Sequence, residues 1–364
     1  RRIALEVART AQVKDFLAGL FVNANPGVTR GEEPTASELV ERGAARVAVE
    51  LTDQPAIQAE MMALLGEVYF TLGRYDEAIE QLDGALAIRR RLHGGAHAEV
   101  AGTARLLGEV LHYQGYYDRA ERMLREVVAM RVRLSGERSR DVGEALSDLG
   151  DLLHSRGRFA AAEDVLRDAL AVMIAASGEE SNDAARARRD LGNVLRDTGE
   201  WTEAEALYRQ SLRVSRGRFG RVDPIVARTR SELARLLIET GDHAEADAIL
   251  RDNLAVYARL YPDGHPMVGT TMRNIGILRL RQGRSAEAVD ALREAVASYR
   301  ATLSERSGFI PRAQAHLSTA LLAAGDSAAA VATAEEALRT LRARRLDGLP
   351  ATAEAVRVLA AMRR

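Results

Sequence analysis

The chain has 364 residues, a formal net charge of −1 and no cysteine. A nearly neutral chain lacks the basic surface that general nucleic-acid binding requires. The absence of cysteine excludes disulfides, thiol catalysis and cysteine metal sites. Aromatic residues make up only 4% of the chain and apolar residues 47%, which favours closely packed thin helices over a sheet. No apolar run approaches the ~18 residues of a membrane span, so we expect no membrane insertion by this region.

Residues 1–55 read as a helical lead segment. Apolar residues at helical spacing predict one helix over residues 1–22, which ends before Pro26 and Gly27. Thr35 and Glu38 then have the spacing of a capping box at the start of a second helix. We expect this segment to cover the open apolar end of the part that follows.

Residues 57–350 contain seven repeats of 42 residues, each defined by three positions. Repeats of this length predict a solenoid of stacked helix pairs, helix A and helix B. A turn glycine ends helix A, an alanine lies five residues later, and an apolar residue lies eight residues before the glycine. The glycines are Gly73, Gly115, Gly157, Gly199, Gly241, Gly283 and Gly325, the alanines run from Ala78 to Ala330, and the apolar residues run from Leu65 to Leu317.

Two further positions of the repeat predict how its helices pack. A small residue on helix A indicates close approach to helix B, and an aromatic residue at the start of helix B is expected to fill the wedge between them. Residues 351–364 continue the period and predict an eighth helix A that caps the array. The small residues are Gly66, Gly108, Gly150, Gly192, Ala234, Gly276 and Ser318, and the aromatic residues are Tyr75, Tyr117, Phe159 and Trp201.

The pattern Leu65-Gly66-x-x-Tyr69, then Gly73-x-Tyr75-x-x-Ala78, resembles the tetratricopeptide repeat. The 42-residue period with a long helix B is similar to the kinesin-light-chain type. This resemblance implies an all-α fold, a right-handed superhelix (α-solenoid) whose concave groove binds protein or peptide ligands.

The lead segment resembles the one that joins kinase and repeats in bacterial serine/threonine protein kinases with C-terminal tetratricopeptide repeats. Matching residues include Phe16-Leu17, Pro26, Arg30-Gly31 and Arg42-Gly43-Ala44. The resemblance implies the sensor or docking region of such a kinase, tethered through an upstream membrane helix. The chain, which opens with Arg1 and reads as a fragment, shows no glycine-rich phosphate loop and no His-Arg-Asp or Asp-Phe-Gly motif. We therefore expect no catalytic residue and no cofactor here; the alternative is a stand-alone assembly scaffold without a kinase.

A third, remote alternative is a metal-dependent enzyme. Glu109 and His112 have i, i+3 spacing, and Asp151 and His154 repeat it 42 residues later. Such pairs on neighbouring helices can hold a divalent metal. Duplication of a repeat also produces matching polar residues, so the four side chains equally fit an ordinary groove lining.

The predicted groove has two electrostatic halves. With Leu65 as position 7 of a repeat, positions 2, 5, 6, 9, 12 and 13 should face the groove. In repeats 1–3 these positions carry six acidic residues against one arginine, and in repeats 4–7 eight arginines against four acidic residues. A chance distribution of charged residues, together with ion pairs formed within single helices, would give the same count of acidic residues and arginines. Glu67, Glu109 and Asp151 belong to the acidic half.

The basic half resembles in part the clamp by which some tetratricopeptide domains hold a peptide's C-terminal carboxylate. Asn274 and Arg312 match that pattern, whereas Ser231 and Arg235 depart from it. Arginine forks bind carboxylates and phosphates through paired hydrogen bonds, so we expect an acidic or phosphorylated peptide segment. The predicted cluster is Arg189, Asn193, Arg235, Arg273, Asn274, Arg312 and His316.

Overall fold

The computed structural model describes residues 36–72, 74–219, 223–261, 265–303, 305, 307–344, 346 and 349–362. These residues form sixteen α-helices and no strand, which confirms the all-α prediction. The helix predicted over residues 1–22 and the first turn glycine, Gly73, lie outside the described residues.

Helix α1 (Ala36–Glu50) precedes seven helix pairs, and α16 (Pro350–Ala361) follows them as the predicted last helix. In each pair the first helix is helix A and the second is helix B. The pairs are α2 (Pro55–Thr71) with α3 (Tyr75–His93), α4 (Ala98–Gln114) with α5 (Tyr117–Ser135), α6 (Arg140–Ser155) with α7 (Phe159–Ser177), α8 (Asn182–Thr198) with α9 (Trp201–Phe219), α10 (Pro224–Thr240) with α11 (His243–Leu260), α12 (Pro266–Arg281) with α13 (Ser285–Thr302), and α14 (Phe309–Ala323) with α15 (Ser327–Ala343).

The helices form two compact units, which divide between Leu134 and Ser135. Unit 1 contains α1 to α5, and α1 packs on α2 with Val47 and Leu51 buried. Unit 2 contains α6 to α16. Within it each helix A packs against its own helix B and against the helix A of the next repeat.

The turn glycines end helix A as predicted at the six described positions. Their φ angles lie between 73° and 95°, a left-handed conformation that glycine adopts without steric cost. This conformation stops the helix and lets the chain reverse into helix B. The six are Gly115, Gly157, Gly199, Gly241, Gly283 and Gly325.

The small residues on helix A mark the predicted close approach between the helices of a pair. A Cβ added to Gly150 would lie 2.4 Å from Cγ of Leu166, which is fully buried on α7. In repeat 7 the residue sizes at these two positions are reversed: Ser318 occupies the glycine position and Ala334 the leucine position, and both are fully buried. The alanines that follow each turn have no exposed surface: Ala78, Ala120, Ala162, Ala204, Ala246, Ala288 and Ala330.

The prediction that Trp201 fills the wedge at the start of helix B is wrong. Tyr75 packs against the ring of Phe70 in a tilted arrangement and is 7% exposed, but Trp201 is 42% exposed. The residue that corresponds to Phe70 in repeat 4 is Arg196, whose guanidinium is engaged in ion pairs. Trp201 therefore lacks the ring neighbour that buries the aromatic residue in repeat 1.

Candidate ligand-binding face

The five A helices of unit 2 (α6, α8, α10, α12 and α14) contact one another in chain order. Their predicted groove positions therefore form one continuous surface, which we call the helix-A face. This face is polar although much of it is buried. Its buried polar residues are Ser147, Asp148, Arg189, Asp190, Asn193, Arg196, Ser231, Thr270, Arg273 and Asn274.

A central ion cluster links α6, α8 and α10 across this face. Asp197 accepts a hydrogen bond from Nε of Arg196 at 2.9 Å and pairs with Nε2 of His154 at 2.9 Å. Nη2 of Arg235 lies 3.3 Å from the same carboxylate. Arg196 also donates to Glu232, with 2.5 Å between Nη1 and Oε2. Each contact joins neighbouring repeats or adjacent residues of α8, so the cluster fixes the register of the three helices.

The two carboxylates of the cluster are ionised at neutral pH. Burial acts to raise their pKa, but the charges of Arg196 and Arg235 more than offset it. The pKa of Asp197 is held well below its ordinary value, and that of Glu232 is also lowered. The charge of Arg273 contributes to the lowering at Glu232. The cluster therefore consists of full ion pairs in a poorly solvated environment.

A tyrosine on helix B of repeat 4 holds one polar residue of the helix-A face in position. Tyr208 of α9 is fully buried beneath Gly192 and donates a hydrogen bond to Oδ1 of Asn193 at 2.8 Å. It accepts another from Arg196 at 3.1 Å. Burial raises the pKa of Tyr208 far above its ordinary value, so the hydroxyl stays neutral and keeps Asn193 in place.

Most members of the predicted cluster have partners inside the chain. Arg189 pairs with the adjacent Asp190 at 2.8 Å, and Nδ2 of Asn274 donates to a backbone carbonyl of α10 at 3.3 Å. Arg312 donates to a backbone carbonyl at the end of α6 at 2.8 Å. His316 lies 2.6 Å from the carboxylate of Glu354 on α16.

Arg273 differs from the other members. It is 7% exposed, makes no ion pair with any described residue, and its Nε has no hydrogen-bond partner there. The predicted cluster thus lies on A helices of unit 2, and Arg273 is its guanidinium without a partner among the described residues.

The residues of the acidic half of the predicted groove, and the four residues of the predicted metal site, are distributed over both units. Glu67, Glu109 and His112 lie in unit 1, and Asp151 and His154 lie in unit 2. The bipolar groove and the metal site therefore stay predictions from the sequence. Within unit 2, His154 is engaged with Asp197.

Sequence reasoning missed one compact group in unit 1, His93, His97 and Glu99. Their ligand atoms lie within 4.8 Å of one another. The two imidazole rings stack 3.5 Å apart and almost parallel, so their nitrogen lone pairs lie in two parallel planes and do not converge on one point between the rings. His97 also caps α4 by accepting the backbone N–H of Glu99, and Glu99 pairs with Arg89. This geometry favours a helix-capping role over metal binding.

No helix in the described part of the chain is both long and apolar enough to cross a membrane.

Three solved structures resemble this chain at low sequence identity. The Rap conjugation gene regulator of plasmid pLS20, in complex with the Phr* peptide, is 12% identical with a TM-score of 0.62, covering 92% of this chain and 97% of that one. A Rap protein complexed with Competence and Sporulation Factor is 11% identical with a TM-score of 0.60, covering 97% and 98%. A putative kinesin light chain from Podosopora anserina is 20% identical with a TM-score of 0.46, covering 58% and 99%.

Sequence comparison identifies the family. A profile described as tetratricopeptide repeat matches residues 58–133, 102–175, 141–217, 181–259 and 225–301, and a second profile of the same description matches residues 273–345. A search of curated proteins found no significant match. The matched ranges cover most of the chain, and their helix pairs have the architecture described above. The chain belongs to the tetratricopeptide repeat family.

Proposed function

We propose that this chain is a protein- or peptide-binding scaffold that holds an acidic segment of its ligand on the helix-A face of unit 2. The observation that carries this proposal is the chemistry of that face. Its buried positions carry arginines and asparagines that other parts of the chain hold in place, as Tyr208 of the same repeat holds Asn193 and the backbone of α10 holds Asn274. A face that served only packing would place apolar residues there.

The family and the fold support the same proposal. One structure of the same fold is a complex with a peptide, and a stacked array of helix pairs offers an extended surface to such a ligand. Arginine side chains held in a fixed position bind carboxylate or phosphate groups with little further loss of side-chain entropy.

Selection from a phage library of random dodecapeptides tests this proposal. We expect the wild-type protein to enrich peptides rich in aspartate and glutamate, and we expect their binding to weaken as salt is raised. Reversing Arg235 and Arg312 to glutamate should remove the enrichment. Reversal of Arg293 and Arg339, which are exposed on B helices, is the matched control and should leave it unchanged. Circular dichroism of each variant checks the fold; a wild-type protein that enriches no peptide contradicts the proposal.

A finer form of the proposal makes this scaffold the sensor or docking region of a bacterial serine/threonine protein kinase. It rests on the resemblance of the lead segment, which lies mostly outside the described residues. The coding sequence upstream of Arg1 tests it. A kinase motif set followed by an apolar span would support the kinase assignment, and an upstream sequence without kinase motifs would favour a stand-alone scaffold.

A further inference from the structure

One face of the last helix, α16, is open to solvent. Val356 is 40% exposed, and Ala353, Arg357 and Ala360 are exposed as well. Their spacing of i, i+3, i+4 and i+7 places the four residues on one side of the helix, and we call them the open face of α16. A helix that only capped the array would carry polar residues on its outer face, but three of these four residues are apolar.

The corresponding positions of the seven repeats form the contact between helix A and helix B. Ala353 and Ala360 are positions 1 and 8 of the repeat, counted with Leu65 as position 7. In repeat 6, a Cβ added at position 1 would lie 2.9 Å from the ring of Tyr299, and one added at position 8 would lie 2.4 Å from Cγ of Leu292. Both positions are buried in all seven repeats. The open face of α16 therefore matches a surface that receives a helix B, and in the described part of the chain it receives none.

Repeat 5 shows which helix fits such a surface, because it also carries alanine at both positions. Ala227 and Ala234 have no exposed surface, and helix B of this repeat is α11. Leu250 of α11 is fully buried at the position that corresponds to Leu292. Asn253 donates a hydrogen bond to the backbone carbonyl of Ala227 at 2.8 Å. A helix with a leucine, and with a short polar side chain three residues later, therefore fits a pair of alanines at these positions.

The charged residues around the open face indicate the charge of the helix that would bind there. An arginine in the last turn of one helix B pairs with a glutamate of the next, as Arg300 does with Glu336 at 3.2 Å. Arg342 lies 42 residues after Arg300 and is exposed in the last turn of α15. A helix packed on α16 beside α15 would place an acidic residue opposite Arg342. Arg357 is basic as well, so two copies of the open face would repel each other.

We infer that the open face of α16 is a docking site for an amphipathic helix of another protein. The docked helix takes the place of an eighth helix B. It carries a leucine against Ala360, an acidic residue two positions later opposite Arg342, and a short polar residue after that. Because α16 is not part of the helix-A face, failure of this inference and failure of the proposed function are independent of each other.

A peptide copy of α11, residues 243–260, is a probe for this site, since it contains Leu250, Asp252 and Asn253 in the required order. A covalent bridge between positions 244 and 248, which are exposed alanines, keeps the isolated peptide helical. We expect the fluorescein-labelled peptide to bind wild-type protein, measured by fluorescence anisotropy. Leu250→Ala in the peptide should weaken binding about 10- to 100-fold, because it removes the side chain that packs on Ala360.

Variants of the protein locate the site. Ala360→Glu places a charge beneath the docked leucine and should abolish binding. Ala361→Glu, at the next exposed position, is the matched control and should leave Kd unchanged. An exchange of charges tests the pairing. Asp252→Lys in the peptide should weaken binding about 2- to 5-fold, and Arg342→Glu in the protein should restore it. Circular dichroism checks that each variant keeps the helix content of the wild type.

Three results would overturn the inference: no binding of the peptide, equal binding to wild-type protein and Ala360→Glu, or an exchange of charges without rescue. Sedimentation velocity of the protein alone tests the other occupant of the open face. We expect a monomer. A dimer that Ala360→Glu dissociates would show that the face binds a second copy of this chain and not the helix of a partner.

Discussion

At the scale of single residues, packing within each repeat depends on side chains of matched size. Ala162 follows the turn between α6 and α7 and has no exposed surface. We expect Ala162→Leu to overpack this position and to destabilise the protein by about 1–3 kcal/mol, measured as a lower midpoint of thermal unfolding. Ala160→Leu, at an exposed position of the same helix, is the control. Equal midpoints for the two variants would show that the alanine position tolerates a large side chain.

The exchange of sizes between repeats 3 and 7 gives a second residue-scale prediction. A side chain at Gly150 meets Leu166, whereas repeat 7 places Ser318 opposite the smaller Ala334. Gly150→Ser and Leu166→Ala should each destabilise the protein, the first by overpacking and the second by creating a cavity. In the double variant the serine occupies part of the cavity, so we expect less destabilisation than the sum of the two single effects. Urea unfolding of the four proteins measures this coupling, and strictly additive effects would argue against direct contact.

The sequence predicted these contacts because they recur at a fixed period. The glycine of each turn and the small residue of each helix A depend on local backbone geometry, which seven copies reveal. Trp201 shows the limit of this reasoning. Its exposure depends on Arg196, which in this repeat turns toward the ion cluster instead of toward the aromatic ring, and such a choice of rotamer leaves no periodic signal.

At the scale of elements, one half-buried contact between a carboxylate and a histidine holds the last helix. The carboxylate of Glu354 on α16 lies 2.6 Å from His316 and accepts a hydrogen bond from Thr319 at 2.8 Å, both on α14. Burial acts to raise the pKa of Glu354, but the charge and hydrogen bond of His316, with Thr319, lower it from 4.5 to about 2. A difference of this size corresponds to about 3 kcal/mol of stability.

This pair predicts a specific pH dependence. Because the pKa of Glu354 is lower in the folded than in the unfolded state, its contribution is complete above pH 4.5 and is lost as the pH falls toward 2. The difference in melting temperature between wild-type protein and Glu354→Gln should therefore shrink across this range. Glu335→Gln, at an exposed position of α15, should follow the wild-type profile. A constant difference between wild-type protein and Glu354→Gln from pH 6 to pH 2.5 would contradict the assignment.

At the scale of the whole molecule, the sequence predicted a set of groove positions but not how their side chains pair with one another. Asp197 and Arg235 occupy predicted groove positions, yet their contact joins two repeats and depends on the angle between neighbouring helix pairs. Small changes in that angle, summed over several repeats, decide which side chains meet. For this reason a periodic sequence predicts a face more readily than it predicts the partners of an individual arginine such as Arg273.

One contact in unit 2 joins helices that are far apart in the chain. Nη2 of Arg312 on α14 donates to the backbone carbonyl of Ser155 at 2.8 Å. Ser155 is the last residue of α6, where carbonyl groups lack partners within the helix and favour a cation. The A helices of repeats 3 and 7 are therefore in contact through this hydrogen bond.

We expect Arg312→Ala to release this contact and separate the two helices. The chain contains no cysteine, so cysteines introduced at Ala160 and Ala323, both exposed, can carry a pair of spin labels. Arg312→Ala should lengthen and broaden the distance distribution between the labels, and Arg293→Ala, an exposed arginine on α13, should leave it unchanged. Identical distributions for wild-type protein and Arg312→Ala would mean that packing along successive repeats alone holds unit 2 closed.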